Sequence, residues 1–98
     1  IKELALFRFP DRGSLADYFA YRIEIVDEWL VDWDGACIDG ASGVRVWTHG
    51  SIACWVASTG SKTARLRWTD ERDRSYGVLD GSTQEVDRLY RWWKKNMR

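Results

Sequence analysis

Residues 52–57 are apolar at both parities of a strand, with Ile52, Cys54 and Val56 on one side and Ala53, Trp55 and Ala57 on the other. A strand sends successive side chains to opposite faces, so a segment apolar on both belongs in the middle of its sheet rather than at an edge. This requirement constrains the fold more than any other feature of the chain. The flanking segments read as partners. Residues 44–47 and 52–57 are separated by Thr48-His49-Gly50-Ser51, a hairpin signal. In residues 64–69, Ala64, Leu66 and Trp68 alternate with Arg65, Arg67 and Thr69, the pattern of a half-buried strand. A charged turn over 70–74 returns the chain to an antiparallel neighbour at 75–79. Residues 3–9 are apolar enough for a further strand, ended by Pro10.

Two helices are expected around this sheet. In the C-terminal segment, Val86, Leu89, Tyr90, Trp93 and Met97 form one apolar stripe, and Arg88, Arg91, Lys95 and Arg98 lie opposite. Ser82 and Glu85 form a capping-box pattern, so the helix is expected over residues 83–96. Near the N-terminus, Ser14 and Asp17 suggest a cap for a short helix carrying Leu15, Tyr18 and Phe19. Residues 21–33 follow with mostly strand-like alternation, rich in β-branched and aromatic residues, and are read as strands bent at Asp27-Glu28. A helix continuing through Val26, Trp29 and Leu30 is the alternative, with Arg22 interrupting its stripe. The expected class is α+β, an antiparallel sheet of four or more strands packed on the C-terminal helix. One domain over residues 1–98 is expected, since no linker-like stretch divides the chain. Leu66, Trp68, Val56, Leu89 and Trp93 are the expected shared core.

The 15 basic and 15 acidic residues balance, but unevenly along the chain. Residues 11–40 carry eight acidic against two basic side chains, and residues 41–98 carry eleven basic against six acidic. Such polarity orients partners, although it also describes two ordinary solvated surfaces. Seven tryptophans are more than a core this small hides easily, so some are expected at the surface.

The sequence carries no recognisable catalytic or metal-binding pattern. His49 stands in a turn, and its spacing from Cys37 and Cys54 matches no familiar zinc site. Asp32-x-Asp34-Gly35 matches the first positions of a calcium loop, but Ala36 and Gly43 occupy positions that should be acidic. No nucleophile elbow or phosphate-cradling glycine loop is present. Neither cofactor nor metal is therefore expected. No leader pattern opens the chain and no apolar run reaches membrane-spanning length, so the expectation is a cytoplasmic protein with both thiols free. A Cys37–Cys54 bridge in a secreted form is the alternative.

The remaining lead is arginine beside tryptophan. Arg65 and Arg67 share a strand face, and Arg88, Arg91 and Lys95 share a helix face that borders Trp92. This combination marks protein–protein hot spots and also nucleic-acid surfaces. A dedicated nucleic-acid binder is usually basic overall, whereas this chain has no net charge and a pI near 6.8. The expected function is non-enzymatic: an adaptor, inhibitor or immunity-type domain binding a protein partner or itself. Nucleic acid is the first alternative, and a small-ligand pocket or an unrecognised enzyme the second.

Overall fold

The structure, a computed structural model, describes residues 3–26, 35–38, 42–56, 63–81 and 85–97. Its elements run β1 (Glu3–Arg8), α1 (Arg12–Val26), β2 (Gly43–Trp47), β3 (Gly50–Val56), β4 (Ala64–Asp70), β5 (Ser75–Asp80) and α2 (Val86–Asn96). The five strands form one antiparallel sheet in the order β1-β5-β4-β3-β2. The two-sided apolar strand, β3, lies inside the sheet as its pattern requires. From β2 onward the chain meanders back strand by strand until β5 pairs with β1.

Each parity of β3 enters its own core. Ile52 and Cys54 join Leu66, Trp68 and Leu79 beneath α2, whose Val86, Leu89, Tyr90 and Trp93 are buried there. Ala53 and Trp55 join Tyr76 beneath α1, which contributes Leu15 and Phe19. The sheet is therefore covered by one helix on each face. Of the five expected core residues, Leu66, Trp68, Leu89 and Trp93 pack together in full burial, while Val56 is half-buried at the cluster's margin. Gly77 faces Trp68 across the β4–β5 ladder, and a Cβ there would fall inside the indole ring. Glycine is what lets Trp68 lie flat across its neighbour.

The N-terminal helix corrects two expectations. It begins at Arg12, ahead of Ser14, because Asp11 is the cap: its Oδ1 accepts the Ser14 backbone N–H at 2.7 Å. That bond, with a second from the Ser14 side chain, holds the Asp11 carboxyl below its ordinary range. The helix also continues through residues 21–26, which were expected to be strand. The confusion has a geometric cause. Leu15, Phe19 and Ile23 are four apart, which is one helix face, yet residues four apart also share strand parity. Tyr21 separates the readings: it has the same parity but falls on the far side of a helix, and it is 57% exposed. Residues 27–33, the rest of that expected strand pair, lie outside the described residues.

A third correction concerns the thiols, which were expected to be free. Cys37 and Cys54 form a disulfide, with Cα atoms 5.4 Å apart. Gly43 and Cys54 are register partners, so the β2–β3 hairpin holds Cys54 near the turn carrying Cys37. The pairing of a turn cysteine with one on a two-sided core strand has no signature in linear spacing.

The expected start of the terminal helix shifts as well. It begins at Val86, with Glu85 in an extended cap conformation, and Ser82 of the expected capping box lies outside the described residues.

Candidate functional site

The expected surface combined helix and strand cations, and the sheet register divides them. On β4, Ala64, Leu66 and Trp68 point toward α2, so Arg65 and Arg67 point to the α1 side. There they meet Asp80 of β5, the register partner of Arg65. Arg67 Nη1 donates to Asp80 Oδ1 at 2.8 Å and Arg65 Nη1 to Asp80 Oδ2 at 3.3 Å. The Arg67 guanidinium also lies 5.4 Å from the Trp55 ring centroid, and the residue is only 8% exposed. These two arginines neutralise a buried carboxylate and cover an indole. The structure does not bring them together with the helix cations.

The helix residues do form one surface. Val86, Leu89, Tyr90 and Trp93 anchor α2 to the sheet, which turns Arg88, Arg91, Lys94 and Lys95 outward. Arg88 pairs with Glu85 at 3.2 Å and Arg91 with Asp87 at 3.8 Å. Both pairs are exposed and weakly binding, so they leave the guanidinium groups available. Trp92 is half-buried at the edge of the α2 core, one turn from Arg88 and beside Lys95 by helical spacing. Its indole is placed at the boundary between core and solvent.

A second feature went unrecognised in the sequence. On the other flank of α2, toward β2, a cleft of about 380 Å³ is lined by Arg45, Val46, Trp47, Tyr90, Trp93 and Lys94, among others. Arg45 closes one wall: its Nε donates to the Ala36 carbonyl at 2.8 Å, and an Nη donates to the Tyr90 hydroxyl while the guanidinium lies over the Tyr90 ring. Trp47 packs edge-on against Trp93 and donates its indole N–H to the Thr69 carbonyl at 2.8 Å. Trp93, although wholly buried, has no hydrogen-bond partner for its Nε1 among the described residues. The sequence signal was the interruption of an apolar strand by Arg45, between Val44 and Val46.

At the hairpin ends, Asp70 accepts two bonds from the Arg72 side chain, at 3.0 and 2.6 Å, and one from its backbone N–H. Burial pushes the Asp70 carboxyl up, but the Arg72 side chain and backbone N–H outweigh it and hold the group below its ordinary value. Arg72 also lies 5.8 Å from the Trp47 ring centroid. His49 packs edge-on to that ring and forms the two-residue turn with Thr48. Among the described residues, no three histidine, cysteine or carboxylate side chains are grouped to hold a metal ion. No described helix is long and apolar enough to cross a membrane.

Compared with models of protein families, with curated proteins and with solved structures, the chain shows no significant match to any of them.

Proposed function

We propose that this protein is a non-enzymatic binding domain that engages an acidic surface of a protein partner through the outer face of α2. Arg88, Arg91 and Lys95 supply the charge and Trp92 the apolar anchor. The observation that carries this reading is the position of Trp92, an indole at the core margin amid exposed cations. Dipole complementarity and solubility account for the cations alone, but give no reason for an indole there. The engagement of Arg65 and Arg67 with Asp80 on the α1 side, away from the helix cations, favours a protein over nucleic acid. Among the described residues α2 carries four cations, two of them already beside carboxylates, and a backbone-tracking nucleic-acid groove depends on many phosphate contacts. The disulfide supports an oxidising compartment in place of the expected cytoplasm.

The test compares captured partners of the wild-type protein with those of Trp92→Ala and of the Arg88→Glu/Arg91→Glu double variant. Loss on the order of 2 kcal/mol is expected for Trp92→Ala at a hot spot. A single-stranded oligonucleotide bound with steep salt dependence would favour the nucleic-acid reading instead. Partner binding unchanged by both variants refutes the proposal.

A further inference from the structure

β1 is an edge strand, paired among the described residues only with β5. Its free side can be read from one bond. The Phe9 N–H donates to the Arg74 carbonyl at 2.8 Å, continuing the β1–β5 register. Backbone groups alternate in direction along an antiparallel strand, so odd residues of β1 bond to β5. Leu4, Leu6 and Arg8 therefore present their N–H and C=O groups outward. This edge is also apolar: Leu4 is 45% exposed, Leu6 52% and Phe7 51%. Residues 3–8 contain no proline or lysine, and pair in an unbroken six-residue register. Charge, a usual guard against edge pairing, is confined to Glu3 and Arg8 at the two ends of the strand, and residues 4–7 carry none.

We infer that β1 pairs antiparallel with β1 of a second copy of this chain, about a twofold axis beside Leu6, joining two five-stranded sheets into one. A twofold perpendicular to the sheet keeps each face continuous, so residues opposite one another must share a parity. Any residue of the strand can be such a centre, but two of them, Ala5 and Leu6, keep five of its six residues paired. An axis at Ala5 sets Ala5 against itself, leaving a gap, and places Glu3 opposite Phe7. An axis at Leu6 sets leucine against leucine on the α2 face and Ala5 against Phe7 on the α1 face, small opposite large. Either axis sets outward backbone groups against outward backbone groups, but the axis at Leu6 engages Leu4, Leu6 and Arg8 in about six main-chain hydrogen bonds, against about four for the axis at Ala5. The charges of Glu3 and Arg8 fall at the ends of the interface. This surface is separate from the outer face of α2, so self-pairing and partner binding succeed or fail independently.

Sedimentation of the full chain from micromolar to millimolar concentration tests it. A reversible monomer–dimer equilibrium is expected. Leu6→Lys places two cations on the axis, and Leu6→Pro removes an outward N–H without touching the β5 ladder. Each should weaken the dimer at least tenfold. Wild-type circular dichroism from either variant verifies that the fold is intact. Val46→Lys, on the exposed opposite edge, and Trp92→Ala should leave the equilibrium unchanged. A protein monomeric throughout, or a dimer indifferent to both Leu6 variants, overturns the inference.

Discussion

Opening the Cys37–Cys54 bridge is expected to destabilise the native state by about 3 kcal/mol. The cysteines are 17 residues apart in sequence. Cross-linking a loop of that size removes on the order of 10 cal/mol/K from the unfolded ensemble, or about 3 kcal/mol at room temperature. Two native-state effects modify this figure in opposite directions. Cys37 has a left-handed φ of 72°, which for a residue bearing a Cβ costs on the order of 1 kcal/mol and can relax once the bridge is open. Against that, both cysteines are wholly buried in the α2 core, so parting the sulfurs disturbs packing around Ile52 and Leu66. The loop contribution is left as the working value. For a 98-residue chain the unfolding entropy near the midpoint is about 0.2 kcal/mol/K, so the midpoint should fall by about 15 °C. The assay is paired thermal and urea denaturation with and without a thiol reductant, beside a Cys37→Ala/Cys54→Ala variant. Thiol titration of the unreduced, denatured protein should find no free thiol. Two free thiols, or a midpoint insensitive to reductant, would refute the reasoning.

Three further outcomes follow from the same contacts. Leu89→Ala, removing a side chain buried beneath α2, should cost about 2–4 kcal/mol in chemical denaturation. Trp47→Phe should destabilise more than Trp93→Phe by about 1–3 kcal/mol. The first strands the Thr69 carbonyl, whereas the second removes a buried donor that has no partner among the described residues. Asp70 titrates below its ordinary value in the fold, so its contribution is present above the unfolded pKa and is lost as pH falls through the folded one. Asp70→Asn should therefore lower the midpoint at neutral pH, and the gap to wild type should narrow as pH drops below about 4. Equal gaps across that range would show that ionisation of Asp70 is not what the Arg72 bonds stabilise.

The sheet was legible because β3 and β4 carry patterns with one sensible burial. A strand apolar at both parities has to be interior, and Leu66/Trp68 against Arg65/Arg67 has to be two-sided. α2 was legible for the same reason, its stripe being wide and its cations opposite. The α1 continuation was misread because Tyr21, Ile23 and Ile25 share a strand parity, although Ile23 also lies four residues after Phe19 on one helix face, and the exposure of Tyr21 distinguishes the two. The fate of Arg65 was nearer to hand than it seemed. With the turn confined to residues 71–74, counting back along both strands places Arg65 opposite Asp80, and a cation facing a carboxylate across a ladder is a pair before it is a binding surface. Partners distant in sequence had no such signal. Neither the bridge from Cys37 to Cys54 nor the Arg45–Tyr90 contact could be counted out from any turn.

The tryptophans change meaning once the sheet is seen to have two cores. Seven indoles suggested surplus aromatic surface, but a sheet covered by a helix on each face has two interiors to fill. Trp68 and Trp93 fill the α2 side with Trp47 at its margin, and Trp55 fills the α1 side beneath Arg67. Trp29 and Trp33 lie outside the described residues, which leaves Trp92 as the described indole that neither core encloses. Abundance of tryptophan is thus evidence about layering, and only its placement is evidence about binding. For the same reason the tests at Trp92 and at Leu6 matter more than composition. Each probes an apolar side chain that the fold leaves at the surface, one among cations and one along an open strand edge, where different partners are required.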